Sequence, residues 1–198
     1  MHAYHSRDVI LSTITTTSNR FSMTLFIVGG PCGTGKSTVA QALAQHLHCP
    51  FVEGDDLHPQ ANVDKMARGE PLNDDDRWGW LQDIAKHGEA EIKQKHHQNA
   101  VITCSILKKK YRDLVRETLD KDIRMVVVFL YGSEEEITKR VTGRQGHFMK
   151  SGMVKSQFEA MEVPTEDELT GQNGQCFAIY TDNMDPQQVE KKVLEEVK

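Results

Sequence analysis

Eight consecutive residues, Gly30-Pro31-Cys32-Gly33-Thr34-Gly35-Lys36-Ser37, set three glycines, a lysine and a hydroxyl at fixed spacing. Glycines let backbone N–H groups converge on an anion without interference from a Cβ. A helix starting near Lys36 would aim its positive end at the same anion. The segment fits G-x-x-x-x-G-K-[ST], a motif that requires a strand before it and a helix after it. Both are expected here. Leu25 to Val28 is a short apolar run, and Val39, Leu43 and Leu47 recur every fourth residue. The chemistry is the binding of a nucleoside triphosphate. Gly30, Cys32, Gly33, Thr34, Gly35 and Thr38 lie along its phosphates, Lys36 reaches the β- and γ-phosphates, and the Ser37 hydroxyl ligates Mg²⁺.

Phosphoryl transfer also needs a carboxylate, and the acids nearest a strand end are Glu53, Asp55 and Asp56, after Phe51-Val52. Ligands of open α/β sheets bind beyond the carboxyl ends of the strands, which puts these acids beside the phosphate loop. One carboxylate can help hold Mg²⁺ and another can take a proton from an attacking hydroxyl. Asp55 and Asp56 both remain open for the second task.

The elements that position these residues follow a strand–helix alternation. Further strands are expected at Phe51-Val52, Ala100–Cys104, Arg124–Tyr131 and Cys176–Tyr180, and the fourth strand is apolar after Arg124 and mostly β-branched or aromatic. Helices are expected from Trp80 towards His97, around Tyr111, Leu114, Val115 and Leu119, after Ser133, and after the Asp185-Pro186 start signal. The pattern implies a three-layer α/β fold with a five-stranded parallel sheet. Residues 1–22 read as a disordered extension, with a mitochondrial presequence as the alternative, and residues 23–198 as one domain. About 57–80 and 143–172 lack strand patterns and read as a substrate-binding excursion and a lid.

Composition excludes several classes. Lysine plus arginine number 24 against 29 acids, a net charge of −5 that disfavours a nucleic-acid binder. No apolar run approaches the ~18 residues of a membrane span. The four cysteines form no C-x-x-C pair, and a reduced, cytoplasmic setting is expected. An Asn-Lys-x-Asp segment is absent, as is a D-x-x-G after a strand, which argues against a guanine-nucleotide switch.

Three blocks carry a resemblance: Glu53-Gly54-Asp55-Asp56-Leu57-His58-Pro59; Asn62-Val63-Asp64-Lys65-Met66; and Gly69-Glu70-Pro71-Leu72-Asn73-Asp74-Asp75-Asp76-Arg77. Cys104 to Arg112, Arg144 to Met149, Ser156 to Glu159 and Glu162-Val163-Pro164 extend it. Together they resemble the gluconokinases of the shikimate-kinase-like P-loop group, from about Met23 to the C-terminus. The resemblance implies ATP-dependent phosphorylation of D-gluconate at its 6-hydroxyl, and a homodimer. It implies Asp55 as the base, Arg140 packed on adenine and Arg144 as a lid arginine on the phosphates. Thr181 to Met184 would contact adenine through backbone.

Gluconate carries one carboxylate and several hydroxyls, so its pocket needs a cation and hydrogen-bonding groups. Arg77 is the first candidate for the carboxylate, since a guanidinium binds it bidentately. Lys65, Lys108 and Arg112 stand behind it, and an ion pair of Arg77 with Asp74 or Asp75 is the alternative. Asp56, His58, Ser105 and Gln157 are expected to hydrogen-bond the polyol. Cys32 stands where the family usually has serine; beside a helix N-terminus its thiol is either acidified and oxidisable or an inert small side chain. Trp78-Gly79-Trp80 lacks the family's proline, which leaves the start of the following helix open. A kinase for shikimate or a nucleoside monophosphate, and a non-enzymatic ATP sensor, are the rival readings.

Overall fold

The computed structural model describes residues 23–143, 151–169 and 174–197. Five strands form one sheet: β1 (Met23–Gly29), β2 (Phe51–Val52), β3 (Asn99–Thr103), β4 (Ile123–Tyr131) and β5 (Gly174–Tyr180). The order is β2-β3-β1-β4-β5, every pair parallel. All five expected strands are present, and β3 starts and ends one residue earlier than its apolar run suggests.

Alternation along the strands makes the two cores. Leu25 and Ile27 of β1, with Met125, Val127 and Phe129 of β4, pack under α3 (Asp74–Lys93) and α4 (Lys109–Thr118). Phe26 and Val28, with Val126, Val128 and Leu130, pack under α1 (Lys36–His46) and α8 (Pro186–Glu196). Both faces of the parallel sheet are therefore covered, as its continuous apolar strands demand.

α2 (Gln60–Ala67), α5 (Glu134–Thr142), α6 (Ser151–Ala160) and α7 (Glu166–Leu169) complete the helices among the described residues. The stretch at 57–80 is mostly helical. A 3-10 turn, Gly54–Leu57, leads into α2, and α3 begins at Asp74 rather than near Trp80. Its start is set by a capping box. The Asn73 side chain accepts the Asp76 N–H while the Asp76 carboxylate accepts the Asn73 N–H. Three acids in its first turn suit the positive helix end. The helix stops at Lys93 because His96 takes a left-handed φ of 58° and the His97 N–H returns to the Ile92 carbonyl at 3.0 Å. At α8 the capping box joins Asp185 to Gln188, with Pro186 in the first turn.

Candidate active site

The phosphate loop lies between β1, the central strand, and α1. Gly30, at φ 123°, sits so close to the Leu130 carbonyl that no Cβ fits. Within the loop, Lys36 Nζ donates to the Pro31 carbonyl at 2.9 Å, and Thr34 Oγ1 to the same oxygen at 2.8 Å.

Of the three acids after β2, Glu53 is the one brought to the loop. Ser37 Oγ donates to Glu53 Oε2 at 2.6 Å, and Glu53 Oε1 accepts from Thr103 Oγ1 at the end of β3. Thr103 also accepts the Gly54 N–H at 3.0 Å, and Gly54 approaches the Thr103 carbonyl so closely that a Cβ would clash. The β2–β3 junction thus fixes a carboxylate against the Ser37 hydroxyl. Both are hard oxygen donors of the kind Mg²⁺ takes alongside phosphates and water.

A cavity of about 460 Å³ opens beside the loop, lined among others by Thr34, Thr38, Val39, Arg140, Met184 and Val189. Arg140 is held in its wall: Nε donates to Glu136 at 3.0 Å and Nη2 to the Thr181 carbonyl at 2.9 Å. Of the Thr181–Met184 stretch, Met184 reaches this cavity and Thr181 is fully buried against Tyr131.

A second cavity, about 470 Å³, is walled by α3, α4 and α6, with Asn73, Asp74, Arg77, Lys108, Tyr111 and Gln157 in its lining. Here the four expected cations separate. Lys108 is 2.7 Å from Asp74, which also accepts from Lys110 and the Tyr111 hydroxyl. These partners hold the Asp74 carboxyl well below the usual carboxylate range. Lys65 is 2.6 Å from Asp76, outside the lining of this cavity, and its charge steadies the capping box of α3. Arg112 is a correction. It is 0% exposed, pairs through two nitrogens with Glu168 at 2.6 and 2.7 Å, and donates to the Ile106, Leu107 and Glu162 carbonyls. That network fixes the chain leaving α6 to the loop before α4, and leaves nothing for a ligand.

Arg77 differs from the other three. Nη1 donates to Ser105 Oγ at 3.1 Å, and the guanidinium carbon lies 6.0 Å from the Tyr111 ring. Neither Asp74 nor Asp75 pairs with it, so the alternative of a helix-start ion pair is overturned; Asp74 is taken up by Lys108, Lys110 and Tyr111. Among the described residues no carboxylate forms an ion pair with Arg77, and Asp76, which acts on it from further off, is held by Lys65.

Gln157, in the lining of the second cavity, accepts the Cys32 N–H through Oε1 at 2.7 Å, linking α6 to the phosphate loop. Asp55 and His58 are outside the linings of both cavities; the Asp55 side chain is 70% exposed and its Oδ1 lies 4.0 Å from His58 Nε2, a ring on which Arg77 also acts. Asp56 is exposed on the 3-10 turn and its backbone N–H bonds Glu53. Cys32 is not acidified. Burial among Ile137, Val141 and Val154 raises its pKa against the pull of Lys36, so the thiol is the inert form. Arg144 lies outside the described residues.

Sequence reasoning left Glu53 among three adjacent acids and gave Asn62 no role; the offset of Glu53 from Ser37 carries no periodic signal. No helix among the described residues is long and apolar enough to cross a membrane.

A family model described as "AAA domain" matches residues 25–164. The thermoresistant gluconokinase of Escherichia coli is 44% identical over 144 residues, covering 73% of this chain and 79% of that protein. A Saccharomyces cerevisiae protein named "Probable gluconokinase" is 42% identical over 179 residues, 88% of this chain and 90% of its own. The crystal structure of a gluconokinase from Sinorhizobium meliloti 1021 superposes with a TM-score of 0.69 at 34% identity, covering 89% of this chain and 91% of that one. With a nucleotide-binding P-loop facing a pocket that holds an unneutralised arginine, and with relatives of this identity and coverage, the chain belongs to the gluconokinase family.

Proposed function

We propose that this protein transfers the γ-phosphoryl group of ATP to the 6-hydroxyl of D-gluconate, giving 6-phospho-D-gluconate and ADP. The observation that carries the reading is Arg77, an unneutralised guanidinium in a polar cavity that adjoins the phosphate loop. It takes the carboxylate of the acceptor, while Ser105, Lys108 and Gln157 supply polar contacts to the polyol.

Asp55 accepts the proton of the attacking hydroxyl; both acids are exposed, and its place beside His58 favours Asp55 over Asp56. The γ-phosphorus–bridging-oxygen bond breaks as the new O–P bond forms, and ADP leaves with the bonding pair. As ATP binds, before the transfer, Lys36 exchanges the Pro31 carbonyl for phosphate oxygens. Ser37, steadied by Glu53, would hold Mg²⁺, which supplies charge neutralisation for the phosphates. Arg140 walls the adenine side, and Arg144 serves as the lid arginine for the dispersed charge of a loose transition state. A homodimer belongs to this reading through the family resemblance. A cytoplasmic setting suits four free cysteines.

The test is ADP release in Mg-ATP with gluconate, shikimate, AMP or no acceptor. Release with gluconate alone is expected. Release without an acceptor would mean an ATPase or sensor, and release with another acceptor would keep the nucleotide site and overturn the pocket.

A further inference from the structure

His58 is held on one ring face and at its Nδ1 edge. Its ring stacks on Trp80 with centroids 4.0 Å apart and planes 17° from parallel, and its side chain is 3% exposed. Trp80 is itself fixed, donating its Nε1–H to the Gly54 carbonyl at 2.8 Å. On the ring edge, His58 Nδ1 lies 3.3 Å from Asn62 Nδ2. Asn62 is 4% exposed, and the same Nδ2 donates to the Asp76 carbonyl oxygen at 2.7 Å.

A backbone carbonyl can only accept, so the Asn62 atom shared between Asp76 and His58 is the amide nitrogen. Its second N–H faces Nδ1, which must therefore present a lone pair. An imidazole with a lone pair on Nδ1 is neutral only if its proton sits on Nε2, the nitrogen that faces Asp55. The charged groups acting on the ring are Asp55 and Arg77. Burial outweighs the pull of Asp55, Arg77 acts with burial, and the pKa falls to about 4.

We propose that Asn62 is a positioning residue that locks His58 as the neutral Nε2–H tautomer, so that His58 donates to the acceptor hydroxyl whose proton Asp55 takes. The assignment rests on the pocket being the acceptor site. A hydroxyl oxygen about 2.8 Å from each partner fits between two atoms 4.0 Å apart. Giving its hydrogen to Asp55 and receiving one from His58, that oxygen keeps a single lone pair, which is thereby aimed. In transfer the hydroxyl proton passes to the Asp55 carboxylate while His58 keeps its own. His58 is a donor throughout and never the base.

Two-bond ¹H–¹⁵N correlation on histidine-labelled protein reads the tautomer directly, with the His58 signals assigned by their loss in His58→Gln. The expected spectrum has a bare Nδ1 and a protonated Nε2 at neutral pH. In Asn62→Leu the tautomers should mix. Its kcat should fall about tenfold, as for loss of one aligned hydrogen bond, with the KM for ATP unchanged. His58→Gln, whose amide nitrogen falls near Nε2, should retain more kcat than His58→Asn, whose nitrogen falls near Nδ1. A protonated Nδ1 at neutral pH, or equal losses in the Gln and Asn variants, would overturn the lock. Failure of the wild-type protein to use gluconate would instead overturn the acceptor reading, while the tautomer spectrum still decides the lock.

Discussion

The nucleotide side of the site is built from backbone. Its glycines, its N–H groups and the start of α1 would bind phosphate whatever stood at the variable loop positions, and the buried Cys32 thiol contributes nothing that another small side chain could not. The acceptor side is built from side chains that constrain one another. Asp74 is held by Lys108, Lys110 and Tyr111; Lys65 steadies Asp76; Asn62 spans α3 and His58. A backbone site tolerates substitution and binds a common ligand, while an interlocked one loses function at single positions and can select its ligand. Arg77 stands out in that network because every other cation around the cavity has a carboxylate.

The sharpest way to break the contrast is Asp55→Asn. If the acceptor side holds the chemistry, kcat should fall by about 10²–10⁴-fold while ATP affinity, measured by calorimetry, stays within a factor of two or so. A parallel loss of ATP binding would merge the two sides.

Next comes Arg112→Met, which leaves the buried Glu168 without its partner. Stability should fall by about 3–5 kcal/mol in urea unfolding, and the double variant with Glu168→Leu should recover much of it. Equal losses in the single and double variants would mean that packing, not charge, sets the cost.

Arg77→Met should raise the KM for gluconate by about 10–100-fold through loss of a charge-assisted contact, with the KM for ATP unchanged. Lys65→Met should instead show mainly as a lower melting temperature, since Lys65 braces the α3 capping box. A KM effect at Lys65 as large as that at Arg77 would reverse their assignment.

The most gradual effect, spread over the pH window between the two pKa values, is in the pH dependence of stability. His58 has a folded pKa of about 4 against an ordinary 6.5. Between those values the unfolded chain takes up a proton that the folded protein refuses. The contribution is therefore complete above pH 6.5 and is lost as pH falls towards 4. It amounts to at most about 3 kcal/mol. His58→Gln should flatten that part of the profile in thermal unfolding, and an unchanged slope would place the titration elsewhere.

What the sequence disclosed divides along the same line. The phosphate loop is contiguous, and β1 and α1 flank it with their own periodicities, so motif and context could be read together. β4 and the start of α8 were legible for similar local reasons, an unbroken apolar run from Met125 to Tyr131 and an Asp-Pro start. The beginning of α3 was also encoded locally, in Asn73 and Asp76, but the three acids and Gly79 interrupt the apolar stripe and draw the eye to Trp80. The acceptor side was legible mainly as a resemblance. Asp74 and Tyr111 are 37 residues apart and Arg112 and Glu168 are 56, separations at which spacing says nothing about contact. Which of four cations stays unneutralised is decided only by those pairings. Glu53, Asp55 and Asp56 could not be told apart until the Gly54–Leu57 turn set Glu53 against Ser37 and Asp55 against His58.

The most direct test is ³¹P NMR of a reaction of the full chain with Mg-ATP and D-gluconate. The account predicts a new phosphomonoester resonance, split into a triplet by the methylene protons at carbon 6, that grows in step with ADP. Inorganic phosphate as the sole new product, or a doublet from a secondary hydroxyl, would contradict it.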